Sequence, residues 1–192
     1  MTTKDMTSAE YFDQKWREII PKMPAGGPYR YDLRKHGYQI IVDYINGGSS
    51  VFDYACGLPI ISKMLADQKG FAVSGCDISP VAIEYAKSIF YDFYIGEEIL
   101  GHYDYIIASY FLEHIKDPVG WLQGALMRAP EVICSLPNNF KHTGEHVLMA
   151  WASWDEFNDL FKDFFHYRID IGKYPADLKK DFQHPIVIFK NK

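Results

Sequence analysis

The sequence predicts an α/β fold, a doubly wound sheet of seven strands that is mostly parallel with an antiparallel last strand. Two apolar runs carry most of that expectation, Ser50-Val51-Phe52-Asp53 and Phe71-Ala72-Val73-Ser74-Gly75-Cys76-Asp77. Each ends in an acid, and each is followed by a turn and a helix-period pattern, the order expected of a buried parallel strand feeding a helix. The third observation is the spacing. Asp77 lies about one βα unit beyond Asp53, close to the separation at which an acid meets a ribose hydroxyl in dinucleotide folds.

Composition sets the outer bounds. The 192 residues suffice for one domain, 1–192, with a full core. Apolar residues make up 48% and aromatic residues 16%, so the chain reads as globular. The net charge is −5 with no extended Lys/Arg run, so bulk nucleic acid is not an expected partner. No apolar run is long enough for a bilayer, and the N-terminus lacks a signal-peptide core, so neither a membrane partner nor export is expected. Cys56, Cys76 and Cys134 each sit in or beside an apolar strand. They read as buried reduced thiols and a cytoplasmic setting. They lack Cys-x-x-Cys spacing, and no metal site is expected.

The first helix is expected from Ser8 to Ile20, with Phe12, Trp16, Ile19 and Ile20 on one stripe and Pro21 as its stop. Pro24-Ala25-Gly26-Gly27-Pro28 reads as a hinge. Tyr29 and Arg30 follow it and are candidate contacts for an anionic substrate, with Arg34 nearby. A solvated helix start explains the same residues. Helix and hinge together, residues 1–36, are a candidate lid. Leu33 to Ile45 is the second helix, closed by Asn46-Gly47-Gly48.

Val51 to Asp53 is the first strand. Ala55 and Gly57 let the backbone come close to a ligand beyond its end. The helix over Ile60–Gln68 then offers its N-terminal N–H groups to an anionic ligand group, a carboxylate for example. Phe71–Asp77 is the second strand, and Ser79-Pro80 opens the helix that runs to Phe90, with Ser as cap. A short third strand is expected within Phe90–Ile95, and the fourth over Tyr103–Ser109. Asp117-Pro118 starts a helix to about Met127, and Val132–Leu136 is the fifth strand. Ser153–Phe164 is a helix with a Ser153…Glu156 capping box. Tyr167–Ile171 and Pro185–Phe189 are the last two strands, joined by a short connection that suits antiparallel pairing.

Three stretches in order resemble the class I S-adenosylmethionine-dependent methyltransferases, a Rossmann-like family. They are Val51-Phe52-Asp53-Tyr54-Ala55-Cys56-Gly57, then Val73 through Asp77-Ile78-Ser79-Pro80 to Ala86, then Tyr103 through Ser109-Tyr110-Phe111-Leu112-Glu113-His114 to Ile115. The resemblance implies direct methyl transfer from S-adenosylmethionine to a small-molecule acceptor, leaving S-adenosylhomocysteine. It implies that Asp53, Ala55, Cys56 and Gly57 shape the methionine end of the pocket and that Asp77 holds the ribose hydroxyls. Ile78 then lies against adenine, an acid among Gly96-Glu97-Glu98 stands near its amine, and Ser109 and Tyr110 face the methionine portion or the acceptor.

The chain departs from the family's Asp-x-Gly-x-Gly-x-Gly run at two places, Ala55 for the first Gly and Pro59 for the third. Pro59 lacks an N–H to offer a ligand. A degenerate fold acting as a non-catalytic binding or regulatory module is therefore the alternative function. His114 is a candidate general base, since an ordinary imidazole titrates near neutral pH. A structural histidine in the turn is the competing reading. His142 and His146, with Glu145, sit in a loop at the carboxyl side of the sheet. His146 is a candidate proton acceptor and His142 a candidate substrate contact, and a hydrated surface loop accounts for both equally well.

Overall fold

The structure is a computed structural model that describes residues 8–22, 32–47, 49–137, 150–169 and 185–192. Seven strands form one sheet: β1 (Val51–Tyr54), β2 (Val73–Asp77), β3 (Phe93–Ile95), β4 (Tyr105–Ser109), β5 (Glu131–Ser135), β6 (Phe165–Ile169) and β7 (Ile186–Lys190). Their order is β3-β2-β1-β4-β5-β7-β6. All pairings are parallel except those of β7, which runs antiparallel to both β5 and β6. The expected doubly wound sheet with an antiparallel last strand is therefore the fold observed.

Alternation along the strands builds two cores. Val51, Val73, Ile107, Ile133 and Ile188 face one side, where they pack on α2 (Asp32–Tyr44), α3 (Ile60–Lys69) and α4 (Pro80–Lys87) through Ile41, Val42, Met64, Leu65 and Ile83. Phe52, Ile106, Val132, Val187 and Phe189 face the other side, against α5 (Pro118–Leu126) and α6 (Trp154–Leu160). There Trp151, Phe157 and Phe161 are fully buried. Period-2 sequence thus becomes two buried faces, as a sheet covered on both sides requires.

Helix ends follow local chemistry. The Ser79 hydroxyl accepts from the Ala82 N–H, and Pro80 occupies the first position of α4. The Asp117 carboxylate accepts from the Gly120 N–H and caps α5. Ser153 accepts from the Glu156 N–H, as the capping box predicts, but the Glu156 carboxylate reaches the N–H of Ala152, one residue beyond the box position. Several elements are shorter than the sequence suggests. α4 ends at Lys87 and β3 begins only at Phe93. The segment between holds Phe90, which stacks on Phe93 with centroids 5.2 Å apart instead of extending the helix. α1 (Ala9–Ile19) passes into a 3₁₀ turn, Ile20–Lys22, which accommodates Pro21.

Gly75 in β2 has no room for a side chain. A Cβ there would fall 2.5 Å from the Asp53 carbonyl oxygen and 2.6 Å from the Phe93 ring. One contact is backbone and the other a ring buried between strands, so neither yields cheaply. Gly75→Ala is expected to lower stability by about 1–3 kcal/mol, the scale of an overpacked core. Urea denaturation of the two proteins measures it, and an unchanged midpoint would contradict the crowding.

Candidate functional site

The strand order reverses between β1 and β4, where β1 leads outward to β2 and β4 leads the other way to β5. In an open α/β sheet the crevice beyond the carboxyl ends at such a point binds ligands. A cavity of about 320 Å³ lies there. From β1 and its loop it takes Asp53, Tyr54, Ala55, Cys56 and Gly57, and from the end of β2 Asp77 and Ile78. Ser109, Tyr110, Phe111, Glu113 and His114 line it from β4 and the turn after it. Gly96 and Glu97 follow β3, and Phe12, Lys15, Trp16 and Ile19 come from α1.

The two acids at the strand ends are both buried, Asp53 at 3% exposure and Asp77 at 7%. Asp77 ties two turns together. Its Oδ2 accepts from the Gly57 N–H at 2.8 Å, and its Oδ1 accepts from the Ser79 N–H at 2.8 Å. Burial raises its carboxyl above the ordinary range, the Ser79 and Gly57 N–H groups pull it back, and Asp13 nearby pushes it up further. Asp53 accepts from the Ser62 hydroxyl on α3. Burial dominates and raises its carboxyl to about 7, against the Ser62 bond and with a further push from Asp77. Burial also holds the Cys56 thiol well above its usual value, so Cys56 shapes the wall as a neutral group.

Two residues beside the switch point hold left-handed backbone without being glycine, Ala55 at φ 51° and Tyr110 at φ 55°. Each directly follows a strand, β1 or β4. Ala55 stands where the family's run has its first Gly, and the position takes the positive φ that glycine adopts without steric cost. Such conformations cost about 1–3 kcal/mol and gather at functional sites. Tyr110 is held by its N–H bond to the Ser135 carbonyl at 2.9 Å. No residue-type signal marks it. Pro59 stands at the N-cap of α3, one position before the expected first turn, and supplies no side-chain cap.

α1 forms part of the cavity wall. The Asp13 carboxylate accepts from the Ser79 hydroxyl and from the Val81 N–H at 3.3 Å, so an acid sits at the positive N-terminus of α4. Trp16 lies on Gly57, where an added Cβ would meet its Cζ2 at 2.7 Å. The Phe12 ring meets the His114 imidazole edge-on, centroids 6.0 Å apart. Sequence reasoning gave the apolar stripe but not Asp13 or Lys15, which a helical wheel places outside it. Tyr29, Arg30, His142 and His146 lie outside the described residues, as does the side chain of Arg34. His142 and His146 are four residues apart, so the expectation of no metal rests on the cysteines alone.

A family model described as "Methyltransferase domain" matches residues 27–168. The chain belongs to that methyltransferase family. Among solved structures it is similar to the magnesium protoporphyrin IX methyltransferase of Synechocystis, solved with bound S-adenosylmethionine. That match has a TM-score of 0.67 and 18% identity, over 100% of this chain and 99% of the other. It is also similar to a TehB-like S-adenosylmethionine-dependent methyltransferase of Corynebacterium glutamicum, at TM-score 0.62 and 16% identity over 96% and 98%. At these identities the likeness is one of fold. No curated protein matches the sequence.

Asp53 gives a pH prediction. Its folded carboxyl titrates near 7, against about 3.9 in an unfolded chain. The fold therefore binds the proton more tightly, and Asp53's contribution is complete below pH 4 and lost as pH rises through 7. Between pH 5 and pH 8 wild type is expected to lose about 2–3 kcal/mol on this account. Asp53→Asn keeps an acceptor for Ser62 and removes the titration, so its urea-denaturation stability falls less over that range. Equal losses in the two proteins would contradict the assignment.

Proposed function

We propose that the protein is an S-adenosylmethionine-dependent methyltransferase acting on a small-molecule acceptor. One observation carries the reading. A single cleft at the switch point gathers the acids that end β1 and β2, the glycine loop, and on the opposite wall Ser109, Tyr110 and His114. The residues fit the cofactor's chemistry. Asp77 is a buried acceptor for ribose hydroxyls, and the partly buried apolar Ile78 follows it as a surface for adenine. Glu97 is exposed on the same side for the amine. Among the described residues, the buried Ser109 hydroxyl and Trp16 indole N–H have no hydrogen-bond partner, as expected of a wall built for a polar ligand.

When bound, the cofactor supplies a methyl group on a sulfonium, electrophilic enough for direct attack by an oxygen, nitrogen or carbon. The chain's own task is then alignment and exclusion of water. Asp53, Ala55, Cys56 and Gly57 shape the methionine end. Tyr54, Tyr110, Phe111 and Phe12 give the remaining wall an aromatic character suited to a flat or apolar acceptor. His114 lines the cavity at the end of the 3₁₀ turn Leu112–His114, and on this reading it takes a proton from an acceptor that carries one. On this reading α1 acts as the lid over this chamber. On this reading the whole of 1–192 is one domain of a cytoplasmic enzyme. Among the described residues no helix is long and apolar enough to cross a membrane.

The degenerate, non-catalytic reading draws on one observation, the scarcity of donors in the loop. Pro59 has no N–H, and the Gly57 N–H is taken by Asp77. Calorimetric titration separates the two. The enzyme reading expects micromolar binding of S-adenosylmethionine, weakened at least about tenfold in Asp77→Ala, since a hydrogen bond to a charged group contributes about 1.5–3 kcal/mol. No binding by folded wild type at millimolar ligand would leave the non-catalytic module as the function.

A further inference from the structure

The cleft has two ends, set by the strand order. Asp77 ends β2, and Gly96 and Glu97 follow β3, so one end lies on the β2–β3 side of β1. Ser109 ends β4, Phe111 and His114 come after it, and Pro137 follows β5, so the other end lies on the β4–β5 side. On the methyltransferase reading the nucleoside takes the first end. The second is left for the acceptor.

Ser109 marks the second end. Along β4, Tyr105 and Ile107 belong to the core under α2, α3 and α4, and Ile106 and Ala108 to the opposite core. Alternation therefore turns the Ser109 side chain to the Ile107 side. Ile107 pairs with Asp53 of β1, so Ser109 stands two residues beyond the level of Asp53, on the neighbouring strand. Tyr110 follows in left-handed backbone, tied by its N–H to the Ser135 carbonyl at 2.9 Å, which fixes the end of β4. The Ser109 hydroxyl is buried, and among the described residues it has no hydrogen-bond partner. A buried hydroxyl can donate and accept and is seldom left unmade. In the wall of a cleft, a ligand group is the partner available to it.

The surroundings select the kind of group. Among the described residues that line the cleft, the carboxyl side chains are Asp53, Asp77, Glu97 and Glu113, and Lys15 carries the one ammonium. A ligand carboxylate meets like charge in this set, whereas a group bearing N–H bonds meets acceptors. Phe12, Tyr110 and Phe111 bring rings to the same end, and the Phe12 ring lies edge-on to the His114 imidazole. Such rings suit a flat apolar body and attract a positive charge.

We propose that the acceptor is an amine carried on a flat apolar body, and that the Ser109 hydroxyl accepts a hydrogen bond from its N–H and sets the nitrogen for attack. The inference rests on the methyltransferase reading and narrows the acceptor atom to nitrogen. A protonated amine first gives a proton to His114, which frees the lone pair. The nitrogen then bonds to the methyl carbon as the carbon–sulfur bond breaks, its electron pair staying on sulfur. The product leaves as the methylated ammonium, and His114 returns its proton to water.

Titration of the full chain, saturated with S-adenosylhomocysteine and followed by protein NMR, tests this. Three probes share a phenyl ring on a two-carbon spacer: phenethylamine, phenethyl alcohol and hydrocinnamate, which end in an ammonium, a hydroxyl and a carboxylate. The amine is expected to bind at least about tenfold tighter than the alcohol, and the carboxylate weakest of all. Ser109→Ala is expected to weaken the amine about tenfold, the scale of one hydrogen bond to a charged group, and the alcohol at most about threefold. Matching thermal melts establish that the variant is folded. A carboxylate that binds as tightly as the amine, or no amine binding at tens of millimolar, would overturn the amine assignment. Unchanged amine affinity in Ser109→Ala would overturn the role of Ser109, as would a loss confined to S-adenosylhomocysteine. If wild type does not bind S-adenosylhomocysteine, the methyltransferase reading falls and the inference with it. If it does and the amine has no preference, the reading stands and the inference alone fails.

Discussion

The Asp77 carboxylate holds the cleft together. It ends β2 and accepts N–H bonds from Gly57 in the loop after β1 and from Ser79 at the start of α4. Two neighbouring βα turns are thereby fixed to one buried charge. Ser79 passes the restraint on, because its hydroxyl caps α4 and also donates to Asp13 of α1. Loop, helix start and lid thus share one hydrogen-bonded chain. Such a network is favourable when every member is satisfied and costly when one is not. The consequence for function is that the loop's best donor is consumed in shaping the cleft.

That trade explains the strain nearby. Ala55 and Tyr110 adopt left-handed backbone just after the two strands that flank the reversal of strand order. The loop after β1 must turn sharply to bring Gly57 under Asp77. The chain after β4 must turn away so that Tyr110, Phe111 and His114 face the same space. The two cores beneath, one on each face of the sheet, are rigid enough to hold these conformations.

Much of the fold was legible because its signals are local and repeated. Apolar runs ending in Asp53 and Asp77 marked strands buried on both faces, and Ser79-Pro80, Asp117-Pro118 and Ser153 marked helix starts where the structure has them. The position of the cleft followed from the strand ends. What escaped depends on contacts between distant segments. Asp13 reaches Ser79 across 66 positions of sequence, and Trp16 fits Gly57 only after α1 has docked. Tyr110 in the left-handed region has no residue-type signal at all. The engagement of Gly57 by Asp77, twenty positions on, turns an anion-binding motif into a structural one, and no reading of the motif alone reveals it.

The most direct test of the account is a crystal structure of the protein with S-adenosylhomocysteine. The account predicts the ligand in the cleft between the ends of β1 and β4, with its ribose hydroxyls on Asp77, its adenine against Ile78 and its thioether facing the wall that holds Tyr110 and His114. A ligand bound elsewhere, or a cleft still filled by Trp16 at saturating ligand, would contradict it.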